Sequence, residues 1–500
     1  METTEKFLEY VKKMQAYSEA ISLMYWDLRT GAPKKGVDQR SQVIGTLSSE
    51  VFGMQTSDEL ANMLSELGKD LETLDPITKR LLEVVKKDYD MNKKIPAEEY
   101  KAYVILTSKS ESVWEEAKEK SDFSMLMPYL KEIVETTKRF VSYWGIKDNN
   151  PYNTLLDEYE PGMTTEILDN VFGELRNKIV PLAKKIAESP NQPETAFLFK
   201  TFPKEKQKQF SLDILKQLGY DFDAGRLDQT VHPFATALNR GDVRITTKYD
   251  ERDFRSAVFG TIHECGHALY EQNIASELDG LPLSSGTSMG IHESQSLFYE
   301  NFIGRNEKFW EHNYVNLQAY APEQFGHIPV EEFLAAINES KSSLIRIEAD
   351  ELTYPLHIMI RYEIEKGLFN GDMQVEDLPQ IWNDKYEEYL GIRPSNDAEG
   401  ILQDVHWAGG SFGYFPSYAL GYMYAAQLKA ALLKDVPNFD DLCSIGDLEP
   451  IKNWLIENVH RHGSMKKPLE LLQEATGEGL NATYLAEYLE GKYGQIYQLT

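Results

Sequence analysis

The segment of this chain best suited to do chemistry is His263-Glu264-Cys265-Gly266-His267. On a helix, residues four apart share a face, so both imidazoles point the same way and can grip one metal ion. The glutamate between them lies close enough to that ion to take a proton from a water held there. A catalytic zinc site needs three protein ligands and an open position, so a third ligand must come from elsewhere. The bland alternative is a surface histidine pair that binds nothing.

A candidate third ligand follows the loop 280–290. Ile291-His292-Glu293-Ser294-Gln295 opens another helix, with Leu297, Phe298 and Phe302 as its apolar contacts. A loop and helix reversal of that length can return Glu293 to the first helix and complete a His, His, Glu set. Glu293 could instead merely favour its helix N-terminus through the dipole, an effect of about 0.3–1 kcal/mol.

Three further stretches carry residues that suit ligand binding. Asp242-Val243-Arg244-Ile245-Thr246 alternates polar and β-branched residues, which places Asp242 and Arg244 on one face of a strand. Such a strand could pair with an extended peptide, or be an edge strand kept soluble by charge. Ile345-Arg346-Ile347-Glu348-Ala349-Asp350 is expected to begin a long helix through Tyr354, His357, Arg361 and Glu365. There Arg361 with Glu365 fits an ordinary intrahelical pair. In the Gly- and aromatic-rich stretch 400–418, Asp404 and His406 could form a pair behind or within a binding site. Tyr414 or Tyr418 could donate to a developing oxyanion, or simply pack.

The elements that must position these residues are helical. Phe254, Val258, Ile262, Cys265 and Leu269 recur at spacings of three and four and form an apolar stripe over 253–275. His263 and His267 lie beside that stripe, so both are expected half-buried. Asp75-Pro76 opens one helix, and Pro96 opens another over 97–120. Pro329 precedes a helix at 330–342, and 163–188, 204–218, 419–434 and 448–460 read as amphipathic helices. The clearest strand is 242–247. The expected fold is mainly α with a small β element beside the metal helix.

Composition narrows the field further. The 500 residues show no linker, low-complexity tract or repeat, and 42% are apolar, so residues 1–500 are expected to form a single domain. The net charge of −28, from 52 basic against 80 acidic residues, argues against a phosphate backbone as partner. The acidity is spread along the chain, as on solvated helix faces. The two cysteines, Cys265 and Cys443, make a structural disulfide improbable and a reducing compartment the expectation. The N-terminus has no signal-peptide core. The most apolar run, 419–433, contains Gln427 and Lys429, so no membrane span is expected and a cytoplasmic location is.

Taken together, these stretches resemble the thermostable, Taq-type metallocarboxypeptidases, which share a broader architecture with angiotensin-converting enzyme and neurolysin. The likeness rests on five short motifs in order. They are His232-Pro233-Phe234, Asp242 to Thr246, His263 to His267 with His292 to Gln295, Ile345 to Asp350, and Gly400 to Trp407. Tyr25 to Pro33 is also similar to the family's opening segment. The resemblance implies two helical lobes around a deep groove, a homodimer, and removal of single C-terminal residues from short peptides. It implies His263, His267 and Glu293 as metal ligands and Glu264 as catalytic base. It further implies one divalent metal per chain, with Zn first and Co or Mn as alternatives, and broad specificity that disfavours proline.

Recognition of a chain end requires a partner for its carboxylate, because an unpaired carboxylate is costly to bury. Arg346 is the first candidate and Arg244 the second, with Arg361 third. Asp242, His232, His406, Asp404, Tyr414 and Tyr418 complete the expected substrate-binding set. Two other readings compete. One is an oligopeptidase or dipeptidyl carboxypeptidase; the other is a helical scaffold with a structural zinc, although a structural site is normally closed by four ligands.

Overall fold

The computed structural model describes residues 2–371 and 373–499. Helices dominate, and a three-stranded sheet lies just before the metal-motif helix. Local sequence explains most helix starts. Asp75 accepts bonds from the Ile77 and Thr78 amides at the head of Pro76–Lys94, while proline fills the first helical position. The 97–120 and 204–218 helices span Ala97–Lys120 and Lys204–Leu218, as periodicity predicts.

In the sheet, β1 (Leu227–Gln229) and β2 (Ala235–Asn239) flank β3 (Asp242–Thr247). β3 runs parallel to β1 and antiparallel to β2, with Ile245 opposite both Leu227 and Ala235. This corrects both expectations for the Asp242–Thr247 strand. It is central rather than an edge, and its backbone is already paired on both sides, so no peptide can add to it. Val243 and Ile245 are buried completely, so pairing and burial together hold it in the middle.

The segment 345–365 is a second correction. Arg346–Glu348 forms only a short 3-10 turn, and the long helix starts at Tyr354 and runs to Asn370. Asp350 interrupts it by accepting from the Leu352 and Thr353 amides and the Thr353 hydroxyl, and Pro355 then sets the new first turn. The helix after Pro329 also stops early, at Ile337.

The larger apolar core gathers side chains from Ala117 to Tyr497. A smaller one joins Phe7, Val11, Leu60, Leu64 and Leu81 of the N-terminal helices to Ile274, Leu278 and Leu283, just beyond the metal-motif helix. Among the described residues, no helix is long and apolar enough to cross a membrane.

Candidate active site

The metal-motif helix spans Arg255–Gln272, and the five residues of its predicted stripe are buried to 1% exposure or less. His263 and His267 are half-buried beside that stripe, as their positions require. The returning helix, Met289–Leu297, is capped by Ser288, whose oxygen accepts from the Ile291 amide. Buried Glu160 anchors that cap, accepting from the Ser288 hydroxyl, the Gly290 amide and the Tyr424 hydroxyl.

Close packing sets the spacing between these helices. A Cβ on Gly266 would meet the Gln295 carbonyl oxygen at 2.4 Å, and one on Gly421 would meet Glu293 Cβ at 2.6 Å. Glycine is therefore required where the metal-motif helix and the helix Pro416–Asp435 press against the returning helix.

These contacts bring His263, His267 and Glu293 together, with one ligand atom from each lying within 4.8 Å of the others. Glu293 Oε2 is 3.4 Å from His267 Nε2 and 3.8 Å from His263 Nε2. Both Nδ1 atoms are engaged elsewhere: His263 Nδ1 with Glu300 Oε2 at 2.8 Å, and His267 Nδ1 with His292 Nδ1 at 2.7 Å. The two Nε2 atoms are thus the ones presented to a shared ion, and two nitrogens with one carboxylate suit zinc.

The electrostatics favour a cation at this point. Burial opposes a charged His263, yet Glu293 and Glu300 outweigh it and carry its pKa up to about 10. Burial likewise opposes a charged Glu293, but His263 and His267 bring it down to about 2. His267 goes the other way, pushed down to about 4 chiefly by burial. Burial, reinforced by Glu293 and Glu300, raises Glu264 to about 7.

Glu264 and the three candidate ligands line a cavity of about 800 Å³, together with Arg346, Tyr354, Tyr414 and Tyr418. Arg346 donates from Nε and Nη2 to Asp404 Oδ1 and from Nη1 to the Tyr354 hydroxyl. A guanidinium has five N–H groups, so two remain. Its face also lies 5.1 Å from the Tyr418 ring centroid.

Other expected residues lie apart from the cavity wall. Arg244 is locked bidentately to Asp242 through two 2.7 Å bonds on β3, and neither lines the cavity. His232 is exposed, and its neighbours Pro233 and Phe234 line the cavity instead. His406 stands behind Tyr418, its Nε2 3.5 Å from that hydroxyl, and Asp404 sits between two arginines.

Arg361 is fully buried and bonded to Asp404, Gln403 and the His357 carbonyl, so its expected pairing with Glu365 is wrong. Glu365 instead accepts from Tyr152, Trp407 and the Gly413 amide. Packing overrides helical spacing here, because both side chains point into the core.

Sequence reasoning overlooked Glu300, Tyr354 and the Glu271–His292 pair. His292, next to Glu293 in a charged and polar run, was the available signal. Nothing local pointed to Glu271 or Glu300.

Comparison with known proteins places this geometry in context. The profile of the carboxypeptidase Taq (M32) metallopeptidase family matches residues 6–493. Carboxypeptidase 1 of Bacillus subtilis is 59% identical over 495 residues, covering 99% of each chain. Thermostable carboxypeptidase 1 of Thermus thermophilus is 37% identical over 503 residues, covering 99% of this chain and 98% of that one. The crystal structure of the M32 carboxypeptidase from Deinococcus radiodurans R1 superposes with a TM-score of 0.97 at 35% identity, covering 100% of both chains.

Proposed function

The chain belongs to the carboxypeptidase Taq (M32) metallopeptidase family, and on that premise we propose that it releases single C-terminal residues from short peptides. His263, His267 and Glu293 hold one divalent metal, with zinc first and cobalt or manganese as substitutes. The observation that carries this reading is the convergence of those three side chains, Glu264 and Arg346 on one cavity.

When bound, the metal supplies a Lewis acid that polarises the scissile carbonyl and acidifies water. Glu264 accepts a proton from the attacking water and passes it to the leaving amine. Tyr414, Tyr418 and Tyr354 offer hydroxyl donors on the cavity wall to the oxygen that gains charge.

Arg346 reads the terminal carboxylate with its two remaining N–H groups. Asp404 holds the guanidinium in place while they do so, and Arg361 and His406 support that arrangement from behind. β2 is one of the two edge strands of the sheet, and of these it is the one whose start, Ala235, lines the cavity, so extended substrate backbone adds there. The same reading takes residues 1–500 as one domain, a homodimer in the cytoplasm, and broad specificity that disfavours a terminal proline.

A time course of one unlabelled peptide, followed by mass spectrometry, tests the activity. Successive losses of one residue from the C-terminus are expected. Loss of dipeptides or internal cleavage would replace this reading with that of an oligopeptidase.

A further inference from the structure

Of the tyrosine hydroxyls at Tyr354, Tyr414 and Tyr418 on the cavity wall, that of Tyr354 alone has an arginine bonded to it among the described residues. Arg346 Nη1 donates to its oxygen at 3.2 Å, and a guanidinium offers no acceptor in return. The phenol proton must therefore point elsewhere, and it meets no acceptor among the described residues. Burial raises the pKa of this phenol, Arg346 opposes the rise and Glu293 adds to it, so the proton stays on. The other two are placed differently. Tyr418 stands 3.5 Å from His406 Nε2, and Tyr414 packs edge-on against Tyr159 and Tyr418, with ring centroids at 5.1 Å and 5.3 Å.

The backbone gives Tyr354 little freedom to move off Arg346. It opens the helix Tyr354–Asn370, and its amide donates to the Asp350 carbonyl at 2.9 Å. The Asp350 carboxylate gathers the Leu352 and Thr353 amides at the same turn. The Tyr354 ring lies edge-on to that of Tyr418, with centroids 6.3 Å apart. The loop from Arg346 to Tyr354 thus folds back and sets the phenol against the guanidinium. Asp404 fixes that guanidinium through Nε and Nη2, which leaves one N–H on Nη1 and one on Nη2.

We infer that Tyr354 is a substrate-binding residue whose hydroxyl donates to the terminal carboxylate of the peptide beside Arg346. An anion seated on Nη1 lies next to the phenol oxygen that Nη1 already bonds, so the same anion is the acceptor nearest to the free phenol proton. The two remaining N–H groups and the phenol O–H then give one carboxylate donors from two touching side chains, as a charged chain end taken out of water requires. This role rests on Arg346 reading the chain end. It leaves Tyr414 and Tyr418 to the oxygen that gains charge in the reaction.

Steady-state kinetics of the metal-loaded enzyme on a short peptide and its C-terminal amide test this role. Wild type should cut the acid and spare the amide; equal rates would instead remove the carboxylate reading of Arg346 itself. With that reading in place, Tyr354→Phe, which keeps the ring and removes one oxygen, isolates the hydroxyl. It should raise KM for the acid about tenfold or more, as expected on losing a hydrogen bond to a charged group, with kcat nearly unchanged. Unchanged KM, whether or not kcat falls, would overturn the assignment, and a fall in kcat alone would give the hydroxyl to the reacting carbonyl. Added to Arg346→Ala, Tyr354→Phe should lower kcat/KM further, because the phenol touches the carboxylate directly. No further loss in that background would show that Tyr354 only holds Arg346 in place, and would also overturn it.

Discussion

His267 and His292 meet Nδ1 to Nδ1 at 2.7 Å, and the far nitrogen of His292 stands 2.8 Å from Glu271 Oε1. If His267 Nε2 binds metal, its Nδ1 must carry the proton and donate. His292 then accepts at Nδ1 and donates from Nε2 to the carboxylate, so one chain of bonds fixes both tautomers. His292→Phe and Glu271→Gln should each weaken metal affinity by about 10–100-fold, the usual cost of losing such a partner. Competition with a chelator measures the affinity. Wild-type metal binding in both variants would show that the chain is only packing.

Glu264→Gln should keep metal and fold but lose about three orders of magnitude or more in turnover, at or beyond the range for general base catalysis alone. Metal content and circular dichroism establish that the variant is intact. Near wild-type turnover by the loaded variant would exclude Glu264 as the base.

Amidating the peptide C-terminus should abolish cleavage, because the two free N–H groups of Arg346 would lose the charge they pair. Arg346→Ala should lower kcat/KM by about 2–4 kcal/mol, the range for removing one partner of a buried charged pair. Arg244→Ala should have little effect, since Asp242 already occupies that guanidinium. Assaying a free-acid peptide beside its amide is the check, and equal rates on the two would remove any role for the terminal carboxylate.

Gly421→Ala should disturb the metal site from a distance. The added methyl would stand 2.6 Å from Glu293 Cβ, so Glu293 or the helix behind it must move. Overpacking of this kind costs about 1–3 kcal/mol. The expected result is a weaker metal site together with a lower melting temperature. Unchanged metal affinity would mean that the helices separate without moving the ligand.

His460 is buried, with Nε2 2.8 Å from Gln295 Oε1 and no partner for Nδ1 among the described residues. Burial lowers its pKa to about 3, against 6.5 for an exposed histidine. The unfolded chain therefore takes up a proton below pH 6.5 that the folded chain refuses, and this residue costs stability as pH falls through that value. The slope reaches about 1.4 kcal/mol per pH unit for one proton. His460→Gln should lose less stability than wild type between pH 6.5 and the acid limit. Denaturant titrations across that interval measure it, and parallel curves for the two proteins would contradict the assignment.

Much of this protein was legible from local pattern. The stripe from Phe254 to Leu269 sets which face of the motif helix is buried, and that alone leaves His263 and His267 half-exposed on one side. The caps at Asp75 and the proline-led starts are likewise local events, decided within one helical turn. Glu293 could be nominated because a loop and a reversal have limited reach.

What remained depended on contacts between segments far apart in the chain. Asp404 lies between Arg346 and Arg361, and that separates an arginine facing the cavity from one sealed in the core. Both look alike in sequence, because spacing along a helix reports face and not depth. β3 became a central strand only when β1 and β2 closed on its two edges. Glu271 and Glu300 acquired their partners from the packing of the motif helix against the segment that returns over it. Periodicity thus determined the elements and the orientation of the first two ligands. The tertiary structure decided which charges were left unpaired, because desolvation and close packing act between elements rather than along them.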